Sequence, residues 1–184
     1  MEALVNGSLA QMARDNNKSL AQMWINVDAV ILVDISGSMN STDARGGKSR
    51  YDVAQEELAA LQASLPGKLA IIGFSYDTQF IPSGNLPGTQ GSTNLAGALK
   101  YARVADSIPD MRFVVISDGE PDDEYEALAE ARLYKNRIDT VYVGPEGGGG
   151  QAFLKRLATL KGGQTMVKPK LEELATGITY LLQG

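Results

Sequence analysis

Three short apolar runs constrain this chain more than anything else in it: residues 29–33, 69–74 and 113–116. Each is brief, β-branched and without strict alternation, the pattern of a strand buried on both faces of a parallel sheet. Between them lie helical patterns. Tyr51, Ala54, Leu58, Leu61 and Leu65 share one face of a helix expected over 48–65, which Pro66 and Gly67 stop. Further helices carry Leu95, Ala98, Leu99 and Ala102, then Tyr125, Leu128, Ala129 and Leu133, then Phe153, Leu154, Leu157 and Leu160. A closing helix uses Leu171, Leu174, Ile178, Leu181 and Leu182. Residues 78–81 read as a short edge strand, 138–143 as a further strand and 165–167 as a last strand. Strands alternating with amphipathic helices predict an α/β layered fold around a mostly parallel sheet.

Before residue 26 the pattern differs. The pentapeptide Ser-Leu-Ala-Gln-Met occurs at 8–12 and again at 19–23. Ser8 and Ser19 suit helix N-caps, and Ser19 with Gln22 makes a capping box. The expected organisation is a helical arm over residues 1–25 and one α/β domain over 26–184. Leu9, Met12, Leu20, Met23 and Trp24 would pack the arm on the core; the sharper alternative is a partner-docking arm. Because the strand series starts only after residue 26, removing residues 1–24 is expected to leave the α/β core folded.

Chemistry concentrates at the end of the first strand, in Asp34-Ile35-Ser36-Gly37-Ser38-Met39. A carboxylate and two hydroxyls at alternate positions, with Gly37 permitting a turn, can converge on one point. Hard oxygen donors converging in this way suit a divalent cation. Such sheets bind ligands beyond the carboxyl ends of their strands, where strand order reverses. Asp118 also follows a strand, so Asp34 and Asp118 face one crevice if their strands flank that point. The 184 residues contain no His and no Cys, and Lys and Arg number 17 against 22 Asp and Glu. A Ser-His-Asp triad, a Cys nucleophile and a His/Cys zinc site are thereby excluded. The net charge of −5 is no nucleic-acid footprint. With no apolar run of membrane-spanning length, a cytoplasmic protein without membrane contact is the expectation.

At Asp34, Ser36, Ser38, Thr93 and Asp118 the sequence resembles the von Willebrand factor type A family, over about residues 27–182. The pattern is Asp-x-Ser-x-Ser after the first strand, a Thr after a Gly-Ser turn, and Asp-Gly after the fourth. Gly37, Met39, the 49–52 helix start and Phe74-Ser75 agree with it. The resemblance implies a Rossmann-like, mostly parallel central sheet with one short antiparallel edge strand and helices on both faces. It also implies a metal-ion-dependent adhesion site holding Mg²⁺, with Mn²⁺ or Ca²⁺ as alternatives. Ser36 and Ser38 would bind the metal directly, Thr93 directly when ligand is present, and Asp34 and Asp118 mainly through water. A first shell of neutral hydroxyls leaves the cation open to a partner's Asp or Glu carboxylate.

Each piece alone has a plainer reading: a capped turn for Asp-x-Ser-x-Ser, an N-cap for Thr93, a turn for Asp118-Gly119. Glu120, Asp122, Asp123 and Glu124 suit a second cation or, more simply, a helix N-terminus. Arg45, Lys48 and Arg50 could steer an acidic partner or merely form a solvated helix start. Gly47-Lys48-Ser49 lacks the first glycine of a phosphate loop, where Thr42 stands. Residues 147–150 read as a hinge or solvent loop. The expected function is an intracellular, non-enzymatic, metal-dependent protein-binding module, of the kind that serves multiprotein assemblies including those with AAA+ ATPases. The alternatives are a metal-dependent phosphoesterase-like hydrolase and a structural subunit whose metal site bridges nothing. The hydrolase would need a second carboxylate where Ser36 stands.

Overall fold

The computed structural model describes residues 3–43, 47–118, 121–144, 147–167 and 174–183. In chain order the elements are α1 (Leu9–Asp15), α2 (Leu20–Met23), β1 (Ala29–Asp34), α3 (Arg50–Ser64), β2 (Leu69–Phe74) and β3 (Thr78–Phe80). Then come α4 (Leu95–Ala102), β4 (Arg112–Ser117), α5 (Glu124–Arg132), β5 (Ile138–Tyr142), α6 (Gly149–Leu160), β6 (Thr165–Val167) and α7 (Leu174–Gln183). The strand order is β3-β2-β1-β4-β5-β6, parallel throughout except for β3, which runs antiparallel at the edge. This is the expected Rossmann-like sheet. Its order reverses between β1 and β4, so Asp34 and Asp118 do flank the switch point.

The sheet is covered on both faces, which is why its strands need no polar alternation. Val30, Leu32, Phe113 and Val115 point to one side, where α1, α4, α5 and α6 supply Leu9, Leu99, Ala127 and Phe153 among others. Ile31, Val33, Val114 and Ile116 point to the other, against Val53, Leu58 and Leu61 of α3 and Ile178 and Leu181 of α7. Phe113 meets Tyr134 edge-on at 4.9 Å, the arrangement favoured by ring quadrupoles.

Ser8 caps α1, and Ser19 caps α2 within a complete capping box. Leu9 and Met23 are buried and Met12 and Trp24 pack partly, whereas Leu20 is exposed. The face of α5 is also shifted from expectation. Ala127, Leu128 and Ala131 are buried while Tyr125 and Leu133 lie outside; alanines, weak in any hydrophobicity pattern, make the contact. Leu160 of α6 is similarly exposed. Gly148 is the N-cap of α6, and Gly149 and Gly150 form its first turn rather than a loop. Leu171 lies outside the described residues.

Gly163 joins α6 to β6 at a place where a side chain has no room. A Cβ there would sit 1.8 Å from the Ile138 carbonyl oxygen, so backbone must move. Gly163→Ala is expected to cost about 2–3 kcal/mol, lowering the melting temperature by roughly 5–10 °C. Gly88→Ala, where a Cβ meets nothing within 4 Å, is the control. Equal melting of the two variants in a calorimeter would refute the packing argument.

Candidate metal site at the switch point

β1 delivers Asp34 fully buried to the carboxyl edge of the sheet. The chain then turns through a short 3-10 segment, Gly37–Asn40. Ile35 and Met39 anchor this turn by sinking into the core, which leaves Ser36 and Ser38 on the opposite side. Ser36 is buried and Ser38 is exposed, so the turn opens toward solvent at Ser38.

Four of the five expected residues form one hydrogen-bonded chain. The Ser36 N–H donates to Asp34 Oδ1 at 2.8 Å. The Ser36 and Ser38 hydroxyl oxygens are 3.1 Å apart, and the Ser38 hydroxyl donates to Asp118 Oδ1 at 2.8 Å. Ser117, the residue before Asp118, donates its hydroxyl to Asp34 Oδ2 at 2.7 Å. A serine whose proton is committed to a carboxylate turns its oxygen lone pairs elsewhere, which is the orientation a cation needs.

Thr93 reaches the same edge by another route. The loop between β3 and α4 folds back over the sheet end. Leu86 is buried, its N–H donates to Gln55 Oε1 at 2.5 Å, and its carbonyl accepts the Tyr51 hydroxyl. Gln90 N–H donates to the Ile35 carbonyl at 3.0 Å and Gly37 N–H to the Gly91 carbonyl at 3.2 Å. Asp122 then clamps Thr93 by its backbone. It accepts from the Thr93 N–H at 3.0 Å and donates its own N–H to the Thr93 carbonyl at 2.9 Å. Thr93 is buried but is not the helix cap; Asn94 caps α4. No hydrogen bond among the described residues joins the Thr93 hydroxyl to the other four.

The acids after Asp118 have structural work: Asp122 holds Thr93, and Asp123 caps α5. Gly119, Glu120 and Arg45 lie outside the described residues. Arg50 is not a solvated helix start. It is buried, donates Nη1 to Asp118 Oδ2 at 2.7 Å, and grips Asp43 with Nε and Nη2 at 2.8 and 2.5 Å. Sequence reasoning missed the roles of Ser117, Asp43 and Asp122. For Ser117 a signal existed, since a hydroxyl one residue before Asp118 is set by the β1–β4 register to face Asp34.

Burial pushes the Asp34 carboxyl above its ordinary range, against the hydrogen bonds from Ser36 and Ser117 that favour its charged form. The hydrogen bond from Arg50 holds Asp43 below the usual carboxylate range, and the same contact, with Asp118, raises Arg50 further. The donors that Asp34 meets among the described residues are thus neutral, and a buried carboxylate so placed favours a cation nearby. The donor set fits a hard divalent ion: two serine oxygens, a buried threonine and two carboxylates, all oxygen.

No protein-family model matches the sequence, and no curated protein does. Solved structures do. An aerotolerance-related membrane protein from Bacteroides fragilis aligns at TM-score 0.65 and 18% identity, over 85% of this chain and 98% of that one. A von Willebrand factor type A protein from Catenulispora acidiphila aligns at 0.62 and 13%, over 85% of this chain and 42% of that one. The manganese-loaded TRAP protein of Plasmodium vivax aligns at 0.57 and 16%, over 85% and 73%. The architecture is therefore the von Willebrand factor type A fold. At these identities the likeness is one of fold.

Proposed function

We propose that this chain is a non-enzymatic, metal-dependent protein-binding module whose divalent cation accepts a carboxylate from the partner. The observation that carries the reading is the Asp34–Ser36–Ser38–Asp118 chain at the switch point. It combines a fully buried carboxylate with neutral donors and an opening at Ser38. The manganese-loaded neighbour of the same fold supports a cation here. Ser36, Ser38 and Thr93 would hold the ion, with Asp34 and Asp118 behind them. When bound, the ion supplies a positive centre that neutral hydroxyls quench poorly, and so attracts an added anion.

The chain's own residues do the rest. Asp34 and Asp118 orient the hydroxyls, Ile35 and Met39 fix the turn, and Asp122 keeps Thr93 alongside. Mg²⁺ suits the site by its preference for few protein oxygens and retained water. The partner class is a protein with an exposed Asp or Glu, encountered in the cytoplasm and within a larger assembly such as one containing an AAA+ ATPase.

The test is affinity capture from native extract, with and without chelator, using the parent and Thr93→Ala. Thr93→Ala is expected to fold normally and to lose most of the captured partner. Loss of a desolvated ionic contact costs about 2–5 kcal/mol. A complex that survives chelator would show that the metal does not bridge the two proteins.

A further inference from the structure

The Arg50 guanidinium lies within the site rather than at its rim. It divides between two carboxylates of different standing. The Asp118 side chain is 0% exposed, while that of Asp43 is 55% exposed. Water screens the contact with Asp43 far more than the contact with Asp118. Inside the buried part of the site, Arg50 is therefore the positive charge that balances Asp118. A divalent ion held by Ser36, Ser38 and Thr93 would approach the same carboxylate and would feel the guanidinium as a like charge.

We infer that Arg50 is a built-in counter-charge that limits the site's affinity for divalent cations and keeps the bound ion attractive to an anion. The inference rests on the metal-binding reading above. Three features support it beyond proximity. Arg50 is the first residue of α3, with its N–H bonded to the Ser41 carbonyl at 3.0 Å, so the guanidinium is positioned by a helix start rather than by a free side chain. The fork on Asp43 fixes its plane. Its Nη1 occupies Asp118 Oδ2 while Ser38 occupies Oδ1, so Asp118 presents an already hydrogen-bonded, charge-balanced group to the site. That arrangement suits a carboxylate acting behind a hydroxyl or water rather than one grasping the ion itself.

The test is calorimetric titration of purified protein with Mn²⁺ alone and with Mg²⁺ alone. Arg50→Gln removes the counter-charge and is expected to bind either ion about tenfold or more tightly than the parent, because a like charge acting through buried surroundings is lost. Arg50→Lys keeps the charge without the fork and should stay within a few-fold of the parent. Asp43→Asn leaves the guanidinium to Asp118 alone and should weaken binding several-fold. This variant alters a half-exposed side chain and tests the idea even if Arg50→Gln fails to fold. Lys48→Gln removes an equal charge from an exposed side chain paired with Glu56 and should change nothing.

Tighter binding by Arg50→Gln, with Arg50→Lys near the parent, supports the assignment. Unchanged or weaker binding by Arg50→Gln overturns it, as does unchanged or tighter binding by Asp43→Asn. So does a shift in Lys48→Gln equal to that in Arg50→Gln, since bulk charge would then suffice. A parent that binds neither ion overturns the metal reading itself, and the inference with it.

Discussion

Mg²⁺ or Mn²⁺ added to the parent protein is expected to raise its melting temperature, and the same addition to Asp34→Ala is expected to leave it unchanged. An ion that binds only the native state at a hundred times its dissociation constant stabilises by about 2.7 kcal/mol. For a domain of this size that is roughly 5–10 °C. Asp34→Ala removes the carboxylate that the Ser36 N–H and the Ser117 hydroxyl both use. It therefore loosens Ser36 and Ser117 as well as removing a negative charge. The metal-free baseline also moves, since two donors lose their acceptor at about 1–3 kcal/mol each while a buried charge is relieved. The shift on adding metal, and not the absolute melting temperature, is the measurement. Asp34→Asn keeps an acceptor oxygen and should show the same failure with a milder baseline. If all three proteins shift alike, the cation binds elsewhere.

The second large effect concerns the N-terminal segment. Removal of residues 1–24 is expected to unfold or aggregate the protein, contrary to what the start of the strand series suggests. Leu9, Ala13 and Met23 are buried in the same cluster as Leu32 and Phe113. The segment is also sewn to the body through its backbone. Val5 N–H donates to the Ser83 carbonyl, Ala10 N–H to the Pro82 carbonyl, and Gly67 N–H to the Gly7 carbonyl, each at 2.9 Å. At Gly7 the approach is so close, with φ +81°, that a Cβ would lie 2.0 Å from the Gln62 carbonyl oxygen. Burying Leu9 and Met23 alone is worth about 3–6 kcal/mol, a large share of the roughly 5–15 kcal/mol that holds a typical domain together. A soluble truncated protein melting cooperatively within about 3 °C of the parent would refute this.

These two cases also separate what the sequence discloses from what it hides. β1, β2 and β4 were legible because each is a buried apolar run that a two-sided sheet accommodates. Their parallel sense followed from the helices between them. Asp34 and Asp118 could be brought to one edge from the sequence because they stand at the carboxyl ends of strands, whereas Ser36 and Ser38 lie in the turn beyond β1 and are placed by the anchoring of Ile35 and Met39. Thr93 is less legible still: its place depends on a loop whose anchors, Tyr51 and Gln55, lie on a helix some forty residues earlier. The inward face of α5 was misjudged because alanines make it. Arg50 was misjudged because burial of a charge depends on which carboxylates meet it, and Asp43 and Asp118 come from different parts of the chain. That the N-terminal segment packs on the core through Leu9, Met12, Met23 and Trp24 was legible from its apolar residues; its backbone bonds to residues 67, 82 and 83 were not. Leu9 and Met23 carry an apolar signal, but not the address of the surface they cover.

The span of the contacts around Asp34 has a consequence for how the protein is made. Ser117 reaches Asp34 across 83 residues, Ser38 reaches Asp118 across 80, and Arg50 reaches Asp118 across 68. β1 must wait for β4 before either carboxylate has its partners, and closing so long a loop is slow and entropically costly. A chain emerging from the ribosome can form β1, α3 and β2 well before the oxygens that would grip an ion are in register. On the proposed reading, cation capture would then be a late event in maturation, and a nascent chain halted before residue 117 is expected not to respond to a divalent ion.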